Sequence, residues 1–142
     1  QNLIVRGYRD TVLTALQMND GLDAGPVYMK KPFSLEGSAR EIYERVTNLS
    51  WDMIPQIISN QPIPEKQVGN VTEFKRRVAE DSEIPSLLSL EKIYDYIRML
   101  DADGYPKAFL DVNGYKLIFE DAKLNNDELT ASVTIKLRDE LL

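Results

Sequence analysis

The chain has 142 residues, a length that predicts one domain or slightly more, because domains most often contain about 100–150 residues. Histidine and cysteine are both absent, which excludes histidine-based triads, thiolate nucleophiles and zinc sites built on these residues. Any proton transfer must therefore rest on carboxylates, lysine or tyrosine. The 17 basic and 23 acidic residues give a net charge of −6, which opposes nucleic-acid binding over the whole surface without forbidding a local basic patch.

No stretch approaches the ~20 apolar residues of a membrane span, and the first residues lack the pattern of a signal peptide. We therefore expect a cytoplasmic protein that does not contact membranes. Residues 1–7 have the pattern of the last turns of a helix that ends at a glycine cap, Gly7. Because the first residue is Gln1 rather than Met, we expect a fragment whose beginning is missing.

Two extended segments enclose a turn-rich loop near the beginning of the chain. Residues 10–18 are rich in β-branched and apolar side chains at both parities, which predicts a strand covered on both faces inside a sheet. Residues 19–26 contain two glycines, a proline and two aspartates, a composition typical of a constrained loop. Residues 27–31 are again extended.

A long helix is predicted over residues 39–59. Ser38 and Glu41 have the spacing of a capping box, and apolar residues follow at helical intervals. Pro55 lies inside this stripe and removes one backbone donor, so we expect a kink or a break near Asp52.

The sequence pattern in the second half of the chain predicts a helix followed by an antiparallel meander. Residues 61–85 contain no sustained period and are interpreted as a linker packed along the surface. A helix over residues 90–100 is capped by Ser89, and Asn113-Gly114 joins two strands as a two-residue hairpin turn. Alternating apolar residues over 129–137 predict a half-buried third strand.

Asp23 is the strongest candidate for chemistry. It lies in the segment Gly-Leu-Asp-Ala-Gly-Pro directly after a predicted buried strand, and in open α/β sheets such loops line the ligand crevice. Gly21 and Gly25 would allow close approach of the backbone to a ligand. From spacing alone the alternative stays open that Asp20 and Asp23 are turn residues bonded to nearby amides.

Three segments resemble the 10-formyltetrahydrofolate-dependent formyltransferases, both the methionyl-tRNA formyltransferase-like and the amino-sugar N-formyltransferase proteins. The loop Gly21-Leu22-Asp23-Ala24-Gly25-Pro26-Val27-Tyr28 is the most specific piece. The segments Phe74-Lys75-Arg76-Arg77 and Tyr105-Pro106-Lys107-Ala108-Phe109 extend the resemblance over nearly the whole chain.

The resemblance implies an α/β fold, a partial Rossmann-like formyltransferase domain followed by a small β-rich C-terminal subdomain. Residues 1–64 would be the C-terminal part of the catalytic domain, 65–89 a linker, and 90–142 the helix and antiparallel strands of the subdomain. The family uses an asparagine, a histidine and an aspartate together; the aspartate matches Asp23, whereas the first two lie upstream of this chain. We therefore expect the chain alone to be inactive.

The resemblance also implies the ligands. The formyl donor would be 10-formyltetrahydrofolate, no metal would take part, and the folate would contact the loop through Asn19, Asp20, Gly21, Leu22, Ala24 and Gly25. Because residues 90–142 are acidic on balance and short, we expect a nucleotide-linked amino sugar as the acceptor, with methionyl-tRNA as the alternative. A non-catalytic binding or scaffold role is a further alternative, and we expect the missing half or a second copy of the chain as a partner.

Other residues are assigned structural roles. The basic run Lys75, Arg76 and Arg77 is expected to be a solvated loop. Tyr96 falls on the apolar stripe of the second helix and is expected in the core, as is Trp51 on the first.

Overall fold

The computed structural model describes residues 1–86 and 88–138, and the last four residues of the predicted C-terminal subdomain, 139–142, lie outside this part. The secondary structure follows the predicted order closely. The elements are the helices α1 (Asn2–Val5), α2 (Ala39–Asn60) and α3 (Leu90–Arg98), the strands β1 (Asp10–Leu16), β2 (Val27–Ser34), β3 (Ala108–Val112), β4 (Tyr115–Asn125) and β5 (Glu128–Leu137), and a 3-10 turn at Ala79–Ser82.

The described residues form two compact units. The first contains residues 1–7, 37–40 and the described part of 75–142, and the second contains residues 8–36 and 41–74. In the second unit β1 pairs with β2 in antiparallel orientation, from Asp10 opposite Ser34 to Leu16 opposite Val27. Val12 on β1 is 49% exposed, so the prediction of a strand covered on both faces is wrong for the described residues of this chain.

Helix α2 is continuous from Ala39 to Asn60 and contains Pro55 without the predicted break. Pro55 lacks the N–H that would bond the Trp51 carbonyl four residues earlier, so the interruption is confined to one backbone hydrogen bond of the helix. The predicted apolar stripe faces inward, with Ile42 and Met53 buried.

A second apolar stripe runs along the exposed side of α2. Trp51, which the sequence places in the core, is 68% exposed, so that prediction is wrong. We refer to the exposed residues of this side as the outer stripe, which consists of Tyr43, Trp51, Ile54 and Ile58. Spacings of eight, three and four residues place them along one side of a helix, which explains why a helical pattern could not separate them from core residues.

The first unit is built from α3 and the meander of β3, β4 and β5. Ser89 caps α3 by accepting a hydrogen bond from the Lys92 amide, and Asn113 and Gly114 form the hairpin turn with φ values of +48° and +82°, as predicted. The core of this unit consists of Ile4, Ala39, Ile84, Ile97, Met99, Leu100, Ala102 and Ala108. Helix α3 packs mainly on β4 and covers little of β5.

The outer strand of the meander is more exposed than its pattern predicts. Val133, Ile135 and Leu137 alternate with polar residues, but Ile135 is 63% and Leu137 is 72% exposed. The prediction of a half-buried β5 is therefore wrong over this end of the strand, because no described element covers the apolar side there.

Asp101 organises the connection between α3 and the meander. Its carboxylate accepts hydrogen bonds from Lys107 Nζ at 2.8 Å and from the Asp121 amide at 2.9 Å, where the pairing of β4 with β5 changes register. Its carbonyl accepts from the Arg40 amide at 3.1 Å. The buried Asp101 thus stabilises both the register change in β4 and the segment that directly follows α3.

Both sheets are antiparallel, and the fold is α/β with two small antiparallel sheets. The Rossmann-like part of the predicted class concerns a larger parallel sheet, and the described residues do not contain one. Among them, none of the helices combines the length and apolar character needed to cross a bilayer.

Candidate functional site

The loop between β1 and β2, residues 17–26, carries the candidate site and is closed tightly at its base. The Gln17 amide donates to the Pro26 carbonyl at 2.8 Å. Gly25 is buried at this neck, and a Cβ atom on it would lie 1.6 Å from the Gln17 carbonyl oxygen. Only glycine allows the two arms of the loop to approach so closely.

Beyond the neck the loop projects into solvent, and Asp23 lies in it. Asp20 and Asp23 are exposed, and Leu22 is 94% exposed. Asp23 has φ +51°, in the left-handed region that aspartate tolerates better than most residues. The Asn19 side-chain oxygen accepts from the Gly21 amide at 3.1 Å, which makes Asn19 a turn-forming residue in this arrangement.

A distant segment, residues 65–67, lies against the C-terminal arm of the loop. Val27 and Glu65 exchange two backbone hydrogen bonds, of 2.7 Å and 2.9 Å, in an isolated antiparallel bridge. Two residues further on, Gln67 Nε2 donates to the Asp23 carbonyl at 2.8 Å and to the Gly25 carbonyl at 2.7 Å. One amide therefore bonds the backbone on both sides of Ala24.

Sequence reasoning missed Gln67. The residue lies in a polar stretch without periodicity, 44 residues from Asp23, and nothing in its sequence neighbourhood marks it. Only the bridge between Val27 and Glu65 brings it to the loop.

This arrangement presents one carboxylate on a fixed backbone. The carbonyl of Asp23 is held by Gln67, the neck is held by the Gln17–Pro26 bond, and the Asp23 carboxylate forms no hydrogen bond or ion pair with the described residues. An aspartate in this position is able to accept a proton or to orient a neighbouring cation or imidazole. The chain itself contains no histidine, so such a partner would come from other residues.

One member of the predicted basic run, Arg77, has structural partners. Arg77 is half-buried rather than solvated; its guanidinium donates to the Asp81 carbonyl and lies 5.7 Å from the centre of the Tyr96 ring. Lys75 and Arg76 are exposed, as expected. The Arg98 guanidinium is buried, where it bonds Asp95 at 2.7 Å and lies over the Tyr94 ring.

A second feature lies on one face of the meander. A groove of about 290 Å³ is lined in part by Lys107, Phe109, Lys116 and Ile118. Lys116 Nζ lies 4.0 Å from the centre of the Phe109 ring, and Lys116 is directly opposite Lys136 on β5. Residues opposite each other in a sheet share a face, so this face combines an aromatic ring with two lysines.

Comparison with known proteins identifies methionyl-tRNA formyltransferases among the similar sequences and structures. The family described as methionyl-tRNA formyltransferase, C-terminal domain, matches residues 79–136. The structure of methionyl-tRNA formyltransferase from Clostridium thermocellum is 43% identical and superimposes with a TM-score of 0.93, covering 96% of this chain and 61% of that chain. Methionyl-tRNA formyltransferase from Wolbachia pipientis subsp. Culex pipiens is 27% identical over 127 residues, covering 87% of this chain and 41% of the relative.

A more distant neighbour is WlaRD, a sugar 3N-formyl transferase solved in the presence of dTDP and 5-N-formyl-THF. It is 16% identical with a TM-score of 0.59, and it covers 99% of this chain and 59% of that chain. At this identity the similarity shows a common fold alone. The chain spans about two-fifths of the length of the first curated relatives that it matches.

Proposed function

Because this chain belongs to the formyltransferase family, we propose that it is part of a methionyl-tRNA formyltransferase, which transfers a formyl group from 10-formyltetrahydrofolate to the amine of methionyl-tRNA. The observation that carries the proposal is the similarity to the Clostridium thermocellum enzyme, at 43% identity over 96% of this chain. The domain division proposed from the sequence, with 1–64 catalytic, 65–89 a linker and 90–142 the C-terminal subdomain, is kept in this proposal.

The amino-sugar acceptor expected from the sequence is not favoured. The relatives at higher identity are named methionyl-tRNA formyltransferases, whereas the sugar enzyme WlaRD is 16% identical. The expectation rested on the acidic balance of residues 90–142. Net charge is a poor guide here because binding to a polyanion depends on where the cations lie, and two lysines share one face of the meander.

We place Asp23 in the chemistry of this enzyme. Its carboxylate would orient the histidine that the family uses and help move the proton of the attacking amine. The exposed residues of the loop, Asn19, Asp20, Gly21, Leu22 and Ala24, would contact the folate, which supplies the formyl group when bound. The exposed loop backbone and the apolar Leu22 side chain are compatible with a flat, polar-edged pterin ring. Gly25 would act by closing the neck.

The lysine-bearing face of the meander is the proposed contact with the acceptor tRNA. Lys116 on β4 lies directly opposite Lys136 on β5 and directly opposite Asp111 on β3, so the carboxylate of Asp111 offsets part of the repulsion between the two lysines. A phosphate bound by the two ammonium groups would neutralise their charge, and the Phe109 ring holds the Lys116 ammonium on this face through a cation–π contact.

The catalytic site is proposed to be completed by residues outside this chain. The family's asparagine and histidine have no counterpart among residues 1–142, and the chain spans about two-fifths of its curated relatives. The outer stripe of α2 and the exposed Val12 on β1 are apolar surface in the unit that carries Asp23. We expect the remainder of the enzyme, or a second copy of the chain, to cover them.

Formylation assays on the complete enzyme that carries this chain test the proposal. Purified enzyme is supplied with 10-formyltetrahydrofolate and either methionyl-tRNA or a dTDP-linked amino sugar, and formylated product is measured. We expect transfer to methionyl-tRNA. Transfer to the amino sugar with none to methionyl-tRNA would overturn the proposed acceptor, and transfer to neither would overturn the activity.

A further inference from the structure

A side chain from outside the loop bonds the loop backbone around Asp23. Within the described part of the chain, Gln67 is the one side chain that does so. Its amide nitrogen carries two N–H groups, and the carbonyls of Asp23 and Gly25 lie 2.8 Å and 2.7 Å from it. Both partners are acceptors, so only the nitrogen of the amide is able to face them. Each N–H therefore has its own carbonyl.

We propose that Gln67 is a positioning residue that holds Asp23 in its reactive orientation. The inference rests on the proposed function, because it assigns Gln67 a role through Asp23. Gln67 itself bonds two backbone carbonyls and does not touch the reacting atoms in this proposal. No other element supplies a recorded side-chain bond to these two carbonyls among the described residues.

The backbone geometry of Asp23 explains why such a clamp is needed. At φ +51° the residue lies in the left-handed region, which aspartate tolerates but which competes with extended conformations unless the surroundings hold it. Rotation of the peptide after Asp23 toward an extended conformation would break the bond from Gln67 to the Asp23 carbonyl. It would also swing the carboxylate, since the Cα–Cβ direction moves with the backbone.

The position of Gln67 is fixed in turn by the neighbouring bridge. Glu65 and Val27 exchange two backbone bonds, so residue 67 begins from a defined point beside β2. The glutamine side chain spans the remaining distance to both carbonyls. Asparagine is one methylene shorter and would not reach both, and glutamate would place a carboxylate against two carbonyl oxygens.

The test compares Gln67→Ala, Gln67→Asn and Gln67→Glu in the complete enzyme that carries this chain. Gln56→Ala is the matched control, because Gln56 makes the same kind of bond to a backbone carbonyl but within α2. Three quantities are measured: kcat and KM, amide hydrogen exchange at Gln17 and Val27, and kcat of the double variant Gln67→Ala/Asp23→Asn. Circular dichroism melts establish that each variant is folded.

We expect the three Gln67 variants to lower kcat by about 10–100-fold with little change in KM, the size of effect that misplacement of a catalytic group produces. Exchange at Val27 should accelerate by about tenfold when two hydrogen bonds of the loop are lost. The double variant should have the kcat of Asp23→Asn alone, because a positioning residue has nothing left to position. Gln56→Ala should have the kcat, the KM and the amide exchange rates of the wild type.

Three outcomes would overturn the inference. Unchanged exchange in folded Gln67→Ala means that Gln67 does not hold the loop, whatever the activity. Faster exchange with wild-type kcat, in an enzyme that Asp23→Asn inactivates, means that the loop needs no clamp for catalysis. A wild-type kcat for Asp23→Asn removes the assigned role of Asp23 and with it the positioning role of Gln67; the proposed function has then failed too, and the exchange measurement still reports whether Gln67 holds the loop.

Discussion

Asp23 carries the chemistry proposed for this chain, and its carboxylate is the group to remove. Asp23→Asn keeps the shape of the side chain and its backbone bond to Gln67 but eliminates the charge. In the complete enzyme we expect kcat to fall by roughly 10²–10⁴-fold, the usual contribution of a general acid–base group, with a much smaller change in folate affinity. Steady-state kinetics measures both quantities.

Asp20→Asn provides the control for this prediction. Asp20 is equally exposed in the same loop, and the proposal gives it contact with the folate but no part in proton transfer. The kcat of Asp20→Asn should stay close to that of the wild-type enzyme. If Asp23 were only a turn residue, Asp23→Asn would lower the melting temperature and leave the kcat of the folded enzyme intact.

Lys107 has a structural role at the same scale. It bonds Asp101 at 2.8 Å and Glu120 at 3.0 Å, and Asp101 is buried. Lys107→Met removes the cation and leaves the Asp101 carboxylate with the Asp121 amide as its recorded partner, so we expect a loss of about 1–3 kcal/mol in the free energy of unfolding. Urea denaturation measures it. Arg40→Met removes an ion pair to Asp103 that is largely exposed and should cost less than about 1 kcal/mol.

The ion pairs of Lys107 with Asp101 and Glu120 also predict how the stability depends on pH. Partial burial lowers the pKa of Lys107, but hydrogen bonds and charge attraction from Asp101 and Glu120 outweigh it, so the net pKa is raised above its ordinary value of 10.5. Because the pKa is raised, the contribution of the Lys107 ion pairs to the free energy of unfolding is complete below about pH 10.5. It is lost as the pH rises through the pKa of Lys107 in the folded state. The stability difference between wild type and Lys107→Met should therefore shrink in strongly alkaline urea titrations and stay constant near neutral pH.

At the scale of an element, the meander β3–β5 has two different faces. Lys116 and Lys136 lie opposite each other on one face, and Phe109 is beneath Lys116. If this face binds tRNA phosphates, Lys116→Ala and Lys136→Ala should each weaken tRNA binding and reduce the slope of log K against log salt by about 1. Filter binding at several salt concentrations measures the slope.

Lys92→Ala is the matched control for the lysine variants. Lys92 lies in the first turn of α3, where it is exposed and outside the meander. Lys92→Ala removes the same charge as Lys116→Ala or Lys136→Ala, so it separates the loss of a local contact from the effect of net charge. Equal losses of affinity in all three variants would contradict a specific role for the meander face.

Helix α2 carries two apolar stripes that differ in burial. The inner stripe includes Ile42 and Met53, which are buried, whereas Trp51 and Ile58 are about two-thirds exposed. Helical spacing identifies both stripes equally well. Only the packing of the described residues shows that the inner stripe is covered and that the outer stripe is available for another partner.

At the scale of the whole molecule, exposed apolar surface predicts association of the isolated chain. The outer stripe of α2 and the uncovered end of β5 expose large apolar side chains. We expect the isolated chain to form concentration-dependent oligomers in light scattering, and Trp51→Lys/Ile58→Lys to reduce them. Asn48→Lys, at an exposed polar position of the same helix, adds charge without removing apolar surface and should have little effect. A monodisperse wild-type monomer at high concentration would contradict the prediction.

The isolated chain should also be inactive. The proposed mechanism needs a histidine and an asparagine that cooperate with Asp23, and residues 1–142 contain no histidine. Purified chain supplied with 10-formyltetrahydrofolate and methionyl-tRNA is therefore expected to give no formylated product above an enzyme-free blank. Turnover by the chain without another polypeptide would contradict the proposed division of the catalytic residues.

The sequence by itself determined the elements and the loop. The positions of α2, α3 and the β3–β4 hairpin follow from Ser89, from Asn113-Gly114 and from apolar spacing, because caps, turns and periodicity act between residues close in the chain. The loop that contains Asp23 was identified in the same way, from its glycines and proline.

Only the tertiary structure decided which surfaces are covered and what holds the loop. Gln67 reaches Asp23 across 44 residues, and Asp101 joins an α3 exit to a bulge in β4. Burial is likewise a property of what packs on a residue, which is why Trp51 and the end of β5 were expected inside and lie outside. Local sequence patterns record the conformation of a segment, whereas contacts between distant segments depend on the packing of the whole chain.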